Sequence, residues 1–322
     1  MSQTETLIET PEARGPQRAD RRAFFATAFG AAAVGAGALA LTTQPAAAQT
    51  VATELDVLNF ILNVEYLQAN FFSVATGGAV LAADDISGSG TAGVATGARA
   101  VSFGDAALAS IAKEMAADGL AHVRFLRSSL TTSYAVAQPA IDLGSAAANA
   151  FSGLARAAAM IGNAQSFDPY ASEDNFLLAA FMLKDVSVTA YGGIMGLITT
   201  SAYVEAVGGM MAVEAHHAAA LRALLYRRGL STPSLIDATE AISGARDTLD
   251  GATTDLDQGV RPTASASGDA IANVAPLNAN GLAISRTPQQ VLNILYLNSG
   301  TATSGGFFTA GVNGTIKSTA TS

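Results

Sequence analysis

The stretch that most constrains this chain runs from Ser201 to Gly229, SAYVEAVGGMMAVEAHHAAALRALLYRRG. Its apolar period and its Arg-Arg-Gly end mark one long helix. Glu214 and His217 stand three residues apart, so both leave the same face, and Val207, Met210, Leu221 and Leu224 share it. A carboxylate and an imidazole are thus directed into a core. Burying such groups is costly unless each is paired, hydrogen-bonded or ligated to a metal, so other segments must supply their partners.

Three further helices are predicted. Thr53 caps one that runs to about Val74 and stops at Gly77-Gly78; Leu58, Ile61, Leu62, Ala69 and Phe72 form a stripe around a single acid, Glu65. Asp105 caps a second, to about Leu130, where Leu108, Ile111, Met115 and Leu126 enclose His122. A third opens at Ser172 or Asp174 and ends near Thr199, one short turn before Ser201, so it and the Ser201–Gly229 helix are antiparallel neighbours. Residues equally far from that turn lie at equal height. Lys184-Asp185 therefore stands level with Glu214 and His217, and Gly192-Gly193 faces Gly208-Gly209, which predicts a close approach of the two backbones. His216 falls one position off the inward face and reads as a surface or second-layer residue. Tyr66 and Tyr191 read as core-edge residues able to hydrogen-bond a site carboxylate.

The remaining segments elaborate this frame. Ala79 to Gly104 is rich in small residues, with a short hairpin predicted over Val94 to Phe103. A long crossover between Thr131 and Ser172 carries a helix over Ala146 to Ile161, and another helix follows from Ser234 to Leu249. Gly251 to Ile284 is irregular; Thr287-Pro288 opens a last short helix through Leu297, and Phe307-Phe308 anchors the tail. The fold class expected is all-α: a four-helix bundle with a long crossover, additional helices and an irregular Gly/Ala/Ser/Thr-rich C-terminal region. Three parts are expected, a signal over 1–48, the bundle over 49–230, and a C-terminal helix and tail over 231–322 packed on the bundle.

The signal is read from Asp20-Arg21-Arg22-Ala23-Phe24-Phe25, the apolar run from Ala26 to Leu41, and Ala46-Ala47-Ala48 before Gln49. Paired arginines, a moderately apolar middle and small residues at the cleavage point predict twin-arginine export to the periplasm or beyond the cell, with a mature chain from Gln49. The other reading is an uncleaved anchor, although the run is shorter than the about 20 residues of a span. No later stretch reads as a span. With 17 basic against 26 acidic residues the chain carries a formal charge of −9, which argues against a nucleic-acid partner. It has no cysteine, hence no thiolate metal site, and no Walker loop or serine elbow.

Inward Glu on two helices and Glu-x-x-His on the other two is the ligand plan of a di-iron or di-manganese carboxylate bundle. Glu65, His122, Asp185, Glu214 and His217 are the candidate ligands. The chain also resembles the ferritin-like family that includes the desiccation-related proteins of plants and bacteria. The likeness lies in LNFILNVEYLQANFF at Leu58 to Phe72, AHVRFLR at Ala121 to Arg127, FDPYASEDNFLLAAFMLKDVSVTAYGG at Phe167 to Gly193, VEAHHAAALRALLYRRG, RTPQQVLNILYLNSG and GGFFTAGVNG. The resemblance implies a ferritin-like bundle, an export habit and an association with dehydration or stress. It matches Glu65 to the first-helix carboxylate, His122 to the second-helix histidine, and Glu214 with His217 to the complete Glu-x-x-His.

Two positions depart from that pattern. Gly119 stands where the second-helix motif needs Glu, with Asp118 one step off the face, and Lys184 stands beside Asp185 where an acidic pair is expected. A lysine ammonium among carboxylates can balance charge that a metal would otherwise balance. Three readings stay open: a metal-free buried network, a single bound ion of iron or manganese, and a two-metal oxidase, peroxidase or catalase, against which both departures weigh. The corresponding functions are a metal-binding, stress-associated exported protein, or a metal-free structural protein that self-assembles as a homo-oligomer or associates with a surface.

Overall fold

The computed structural model describes residues 52–251 and 257–320. The export signal and the boundary at Gln49 lie outside these residues. Helix α1 spans Glu54–Ala75; the Thr53 hydroxyl accepts from the Asp56 amide while the Asp56 carboxylate accepts from Thr53 N, closing a capping box. At its far end Gly77 turns the chain at φ 89°, a conformation that glycine adopts without strain. After the single turn α2 (Ala83–Ile86) come strand β1 (Ala95–Thr96) and helix α3 (Ala106–Tyr134), whose first amides are capped by the Asp105 carboxylate. Strand β2 (Ile141–Asp142) and helix α4 (Ala150–Ala157) lie in the crossover. Helices α5 (Glu173–Ile194) and α6 (Ser201–Gly229) follow, then α7 (Pro233–Asp250), strands β3 (Thr263–Ala264) and β4 (Ala270–Ile271), and α8 (Pro288–Leu295).

Helices α1, α3, α5 and α6 make the bundle, with α1 packed along α3 and α5 along α6. The fold is all-α, a four-helix bundle with a long crossover and additional helices. Helix α1 is its axis, buried on every side from Val57 to Phe72 because the crossover and the C-terminal tail cover the face that the other three helices leave open. Hydrogen bonds and ion pairs tie the bundle ends: Glu54 accepts from Thr199 and Thr200 at the start of α6, and Arg228 near its end pairs with Asp174, Glu173 and Asp105 in and before the first turns of α5 and α3.

Three local expectations are corrected. The segment at Val94–Phe103 does not pair with itself. β1 runs parallel to β2, with Ile141 N donating to Val94 O and Leu143 N to Thr96 O, because a segment without apolar alternation satisfies its backbone groups on the crossover beside it. The glycine pairs do not face each other: a Cβ on Gly193 would come within 1.7 Å of Arg286 O, whereas Gly209 faces open space. Gly192 and Gly193 thus admit the strap at Ser285–Arg286 rather than helix α6. Among the described residues, the stretch Glu173–Leu197 is in fact long and apolar enough to cross a bilayer; it is mostly buried inside the bundle, which accounts for its composition.

The C-terminal region is clasped to α5 and α6 by buried charge. Arg222, Arg246 and Arg286 are essentially inaccessible, and Asp185, Asp250 and Asp257 answer them. Arg222 Nη1 lies 2.8 Å and Arg246 Nη2 3.2 Å from Asp185 Oδ2, Arg246 Nε 2.7 Å and Arg286 Nη2 3.0 Å from Asp257 Oδ2, and Arg286 Nε 2.5 Å from Asp250 Oδ2. The tail is seated separately. Phe307 meets Phe151 edge-on at 5.0 Å, and Asn313 exchanges hydrogen bonds with Asn63 of α1.

Candidate metal centre

The apolar stripes bring Glu65, His122, Glu214 and His217 to one level of the bundle. Glu65 from α1, His122 from α3 and Glu214 from α6 each offer a ligand atom, and all three atoms lie within 4.8 Å of one another. His122 Nδ1 stands 3.5 Å from Glu65 Oε1 and 3.7 Å from Glu214 Oε1, and His217 Nδ1 also stands 3.7 Å from Glu214 Oε1. Both carboxylates are fully buried. Asp185 is not in this group. Its neighbour Lys184 turns inward, while the next position of the same helix points Asp185 outward to Arg222 and Arg246, since consecutive helical residues diverge by about 100°.

Lys184 Nζ lies 2.7 and 2.8 Å from the two oxygens of Glu214 and 5.1 Å from the centre of the Phe72 ring. Burial by itself would raise the Glu214 pKa; the Lys184 charge and its hydrogen bonds outweigh that and hold it well below the carboxylate range. Tyr191 donates to Glu65 Oε1 at 2.6 Å, and burial together with the Glu65 and Glu214 charges pushes that phenol far above its ordinary value. For His122, burial opposes protonation, but Glu65 and then Glu214 outweigh it, and the pKa is raised.

Asp118 stands one step off the ligand face, yet its Oδ2 lies 3.0 Å from His217 Nε2. Its place beside Gly119 is the sequence signal for it, and a residue one step off the axis of α3 reaches α6 here. With Nε2–H donated to Asp118, the lone pair of His217 sits on Nδ1, on the Glu214 side. The Asp118 side chain is 39% exposed, against 10% for His122 and 8% for His217, so the site meets solvent at this seam. Gly119 is buried against α1, and a Cβ there would stand 3.4 Å from Ala69 Cα and Cβ, ordinary contact. His216 is exposed. Tyr66 bonds Val136 O and Arg127, outside the site.

Glu65 Oε2, His122 Nδ1 and His217 Nδ1 are buried without a hydrogen-bond partner. Buried polar atoms are normally paired, and donors sharing a first-row ion at about 2.1 Å stand roughly 3–3.5 Å apart, close to the separations seen here. Two imidazole nitrogens with two carboxylate oxygens suit a first-row divalent ion. The residues present therefore fit one ion. They do not supply a second bridging carboxylate at position 119.

The ferritin-like domain family matches residues 53–227. The chain is 30% identical over 250 residues to the desiccation-related protein PCC13-62 of Craterostigma plantagineum, covering 74% of this chain and 76% of that protein. It is 25% identical over 272 residues to the ferritin-like catalase Nec2 of Nesocodon mauritianus, covering 82% and 84%. No solved structure matches it significantly. With the bundle, the buried Glu/His/Glu group and these relatives in agreement, the chain belongs to the ferritin-like family, among its desiccation-related proteins.

Proposed function

We propose that this is an exported, stress-associated ferritin-like protein that binds one divalent ion, iron or manganese, between Glu65, His122, Glu214 and His217. The observation that carries the reading is the set of three unpartnered buried atoms, Glu65 Oε2, His122 Nδ1 and His217 Nδ1, gathered around Glu214. An ion bound there supplies a redox-active Lewis acid. The protein's own groups prepare the place: Tyr191 holds Glu65, Lys184 holds Glu214, and Asp118 fixes the tautomer of His217. Charge also favours a single ion. Lys184 and one divalent ion together neutralise the carboxylates of Glu65, Glu214 and Asp118, and a second divalent ion leaves an uncompensated excess in a buried site. A catalase-type reaction at a pair of ions is not part of this reading, because Gly119 leaves out a bridging ligand and Lys184 brings its own charge.

The bond from Lys184 to both Glu214 oxygens favours a second reading, a metal-free structural protein whose network is balanced by Lys184 alone. Metal analysis of protein purified without chelator separates the two. The metal-binding reading expects close to one ion per chain, its loss in His217→Ala, and a lower Tm after chelation, since binding stabilises the folded state. A metal-free protein whose Tm ignores chelator and added iron or manganese overturns it. Export is tested apart: replacing Arg21 and Arg22 by Lys should leave the precursor in the cytoplasm, and unchanged export of that variant rejects the twin-arginine reading.

A further inference from the structure

Besides the atoms of the metal centre, the buried side-chain atoms without a partner among the described residues include both ends of the Gln68 amide and the Ser187 hydroxyl. Both residues are inside the bundle, Gln68 1% and Ser187 0% exposed. Ser187 is unusual for a helical hydroxyl in making no bond to its own helix, whereas Thr189 on the same helix donates to Val186 O.

Helix geometry places the two opposite each other. Helices α1 and α5 are antiparallel and held in register at two points, Tyr191 against Glu65 and Lys184 against the Phe72 ring. Gln68 lies three residues past Glu65 and four before Phe72; Ser187 lies four before Tyr191 and three past Lys184. Each is therefore on the inner side of its helix, midway between the same two contacts and at the same height. Their rotation agrees: Ala69, which meets Gly119, marks the α3 side of α1, and Gln68 diverges from it toward α5. Helical register thus sets these two side chains on facing sides of the α1–α5 seam, and neither has a hydrogen-bond partner.

We propose that this seam is a binding seat for one small neutral hydroxylic molecule, water or a molecule of its kind such as hydrogen peroxide, bridging Gln68 and Ser187 beside Lys184 and Glu65. The chemistry selects the class. The amide offers a donor and an acceptor and the hydroxyl both, so the occupant must donate and accept. A cation is opposed by the Lys184 ammonium on one side, an anion by the Glu65 and Glu214 carboxylates on the other. Buried waters characteristically bridge such otherwise unpaired groups. The seat stands on Gln68 and Ser187 and does not depend on metal at the neighbouring site.

The test is a high-resolution crystal structure of the metal-free protein, as grown and after a hydrogen peroxide soak, with thermal melts of Gln68→Met, Ser187→Ala and the double variant. A single-atom peak within hydrogen-bond distance of both residues supports the seat with water as occupant, and two-atom density after soaking supports it with peroxide. An empty seam, or Gln68 turned to bond Ser187 directly, overturns it. A shared occupant makes the two substitutions non-additive: each single variant lowers Tm by a few degrees, and the double variant lowers it no further than the worse single. A double variant equal to the sum of the singles overturns the proposal.

Discussion

Lys184 and Gly119 decide how far this bundle departs from a two-metal plan, and they can be separated. Gly119→Glu starts from a Cβ already in ordinary contact with Ala69, so the backbone need not move. Elemental analysis should show metal per chain rising from one toward two; a content that stays at one assigns the limit to Lys184 instead. Asp118→Asn removes the anion that orients His217 while keeping its shape, and should weaken metal binding about 10–100-fold in competition with a chelator. Unchanged affinity would show that His217 needs no such support. Lys184→Met, which in metal-free protein leaves Glu214 buried without its cation, should cost about 3–5 kcal/mol of stability by urea unfolding. A smaller loss means that the imidazoles carry the compensating charge.

At the scale of elements, the bundle is held in register by contacts at the helix ends as much as by its core. Glu54 accepts hydrogen bonds from Thr199 first and Thr200 second, and these push its pKa from 4.5 down to about 2. A depressed folded-state pKa means that its stabilisation is present above pH 4.5 and is lost as the pH falls toward 2. Glu54→Gln should therefore have a lower Tm than wild type above that window and converge with it at the acid end. Parallel melting curves at every pH would show that the contact does not contribute. The length and capping of these helices were legible from Thr53, Asp105 and Ser172, because capping is a local hydrogen-bond requirement. The partner of β1 was not, since a two-residue strand carries no pattern that names its neighbour.

Across the whole molecule, the C-terminal region completes the core of the bundle. Three buried arginines meet three buried aspartates where Asp185 leaves α5, and the Ser285–Arg286 strap crosses at Gly193. Such clusters are unforgiving: removing one anion leaves cations buried and uncompensated. Asp257→Ala removes the anion that Arg246 and Arg286 share, leaving three buried arginines against Asp185 and Asp250, and should destabilise the protein by about 3–5 kcal/mol in urea unfolding. A loss below about 1 kcal/mol, the range of exposed pairs, would show that water reaches the cluster.

The chain by itself determined the bundle and the level of its site. Periodicity places Glu65, His122, Glu214 and His217 on inward stripes whatever surrounds them, and the short α5–α6 turn sets Lys184 opposite Glu214. Only the tertiary structure decided what each group meets. Asp185, a predicted ligand, is one residue from the inward position that Lys184 takes, and Asp118 is one residue from Gly119; one helical step of about 100° sends the first to an arginine cluster and the second to His217. Gly193 shows the same limit, for its missing side chain makes room for a strap about ninety residues later in the chain, and local spacing carries no information about so distant a partner.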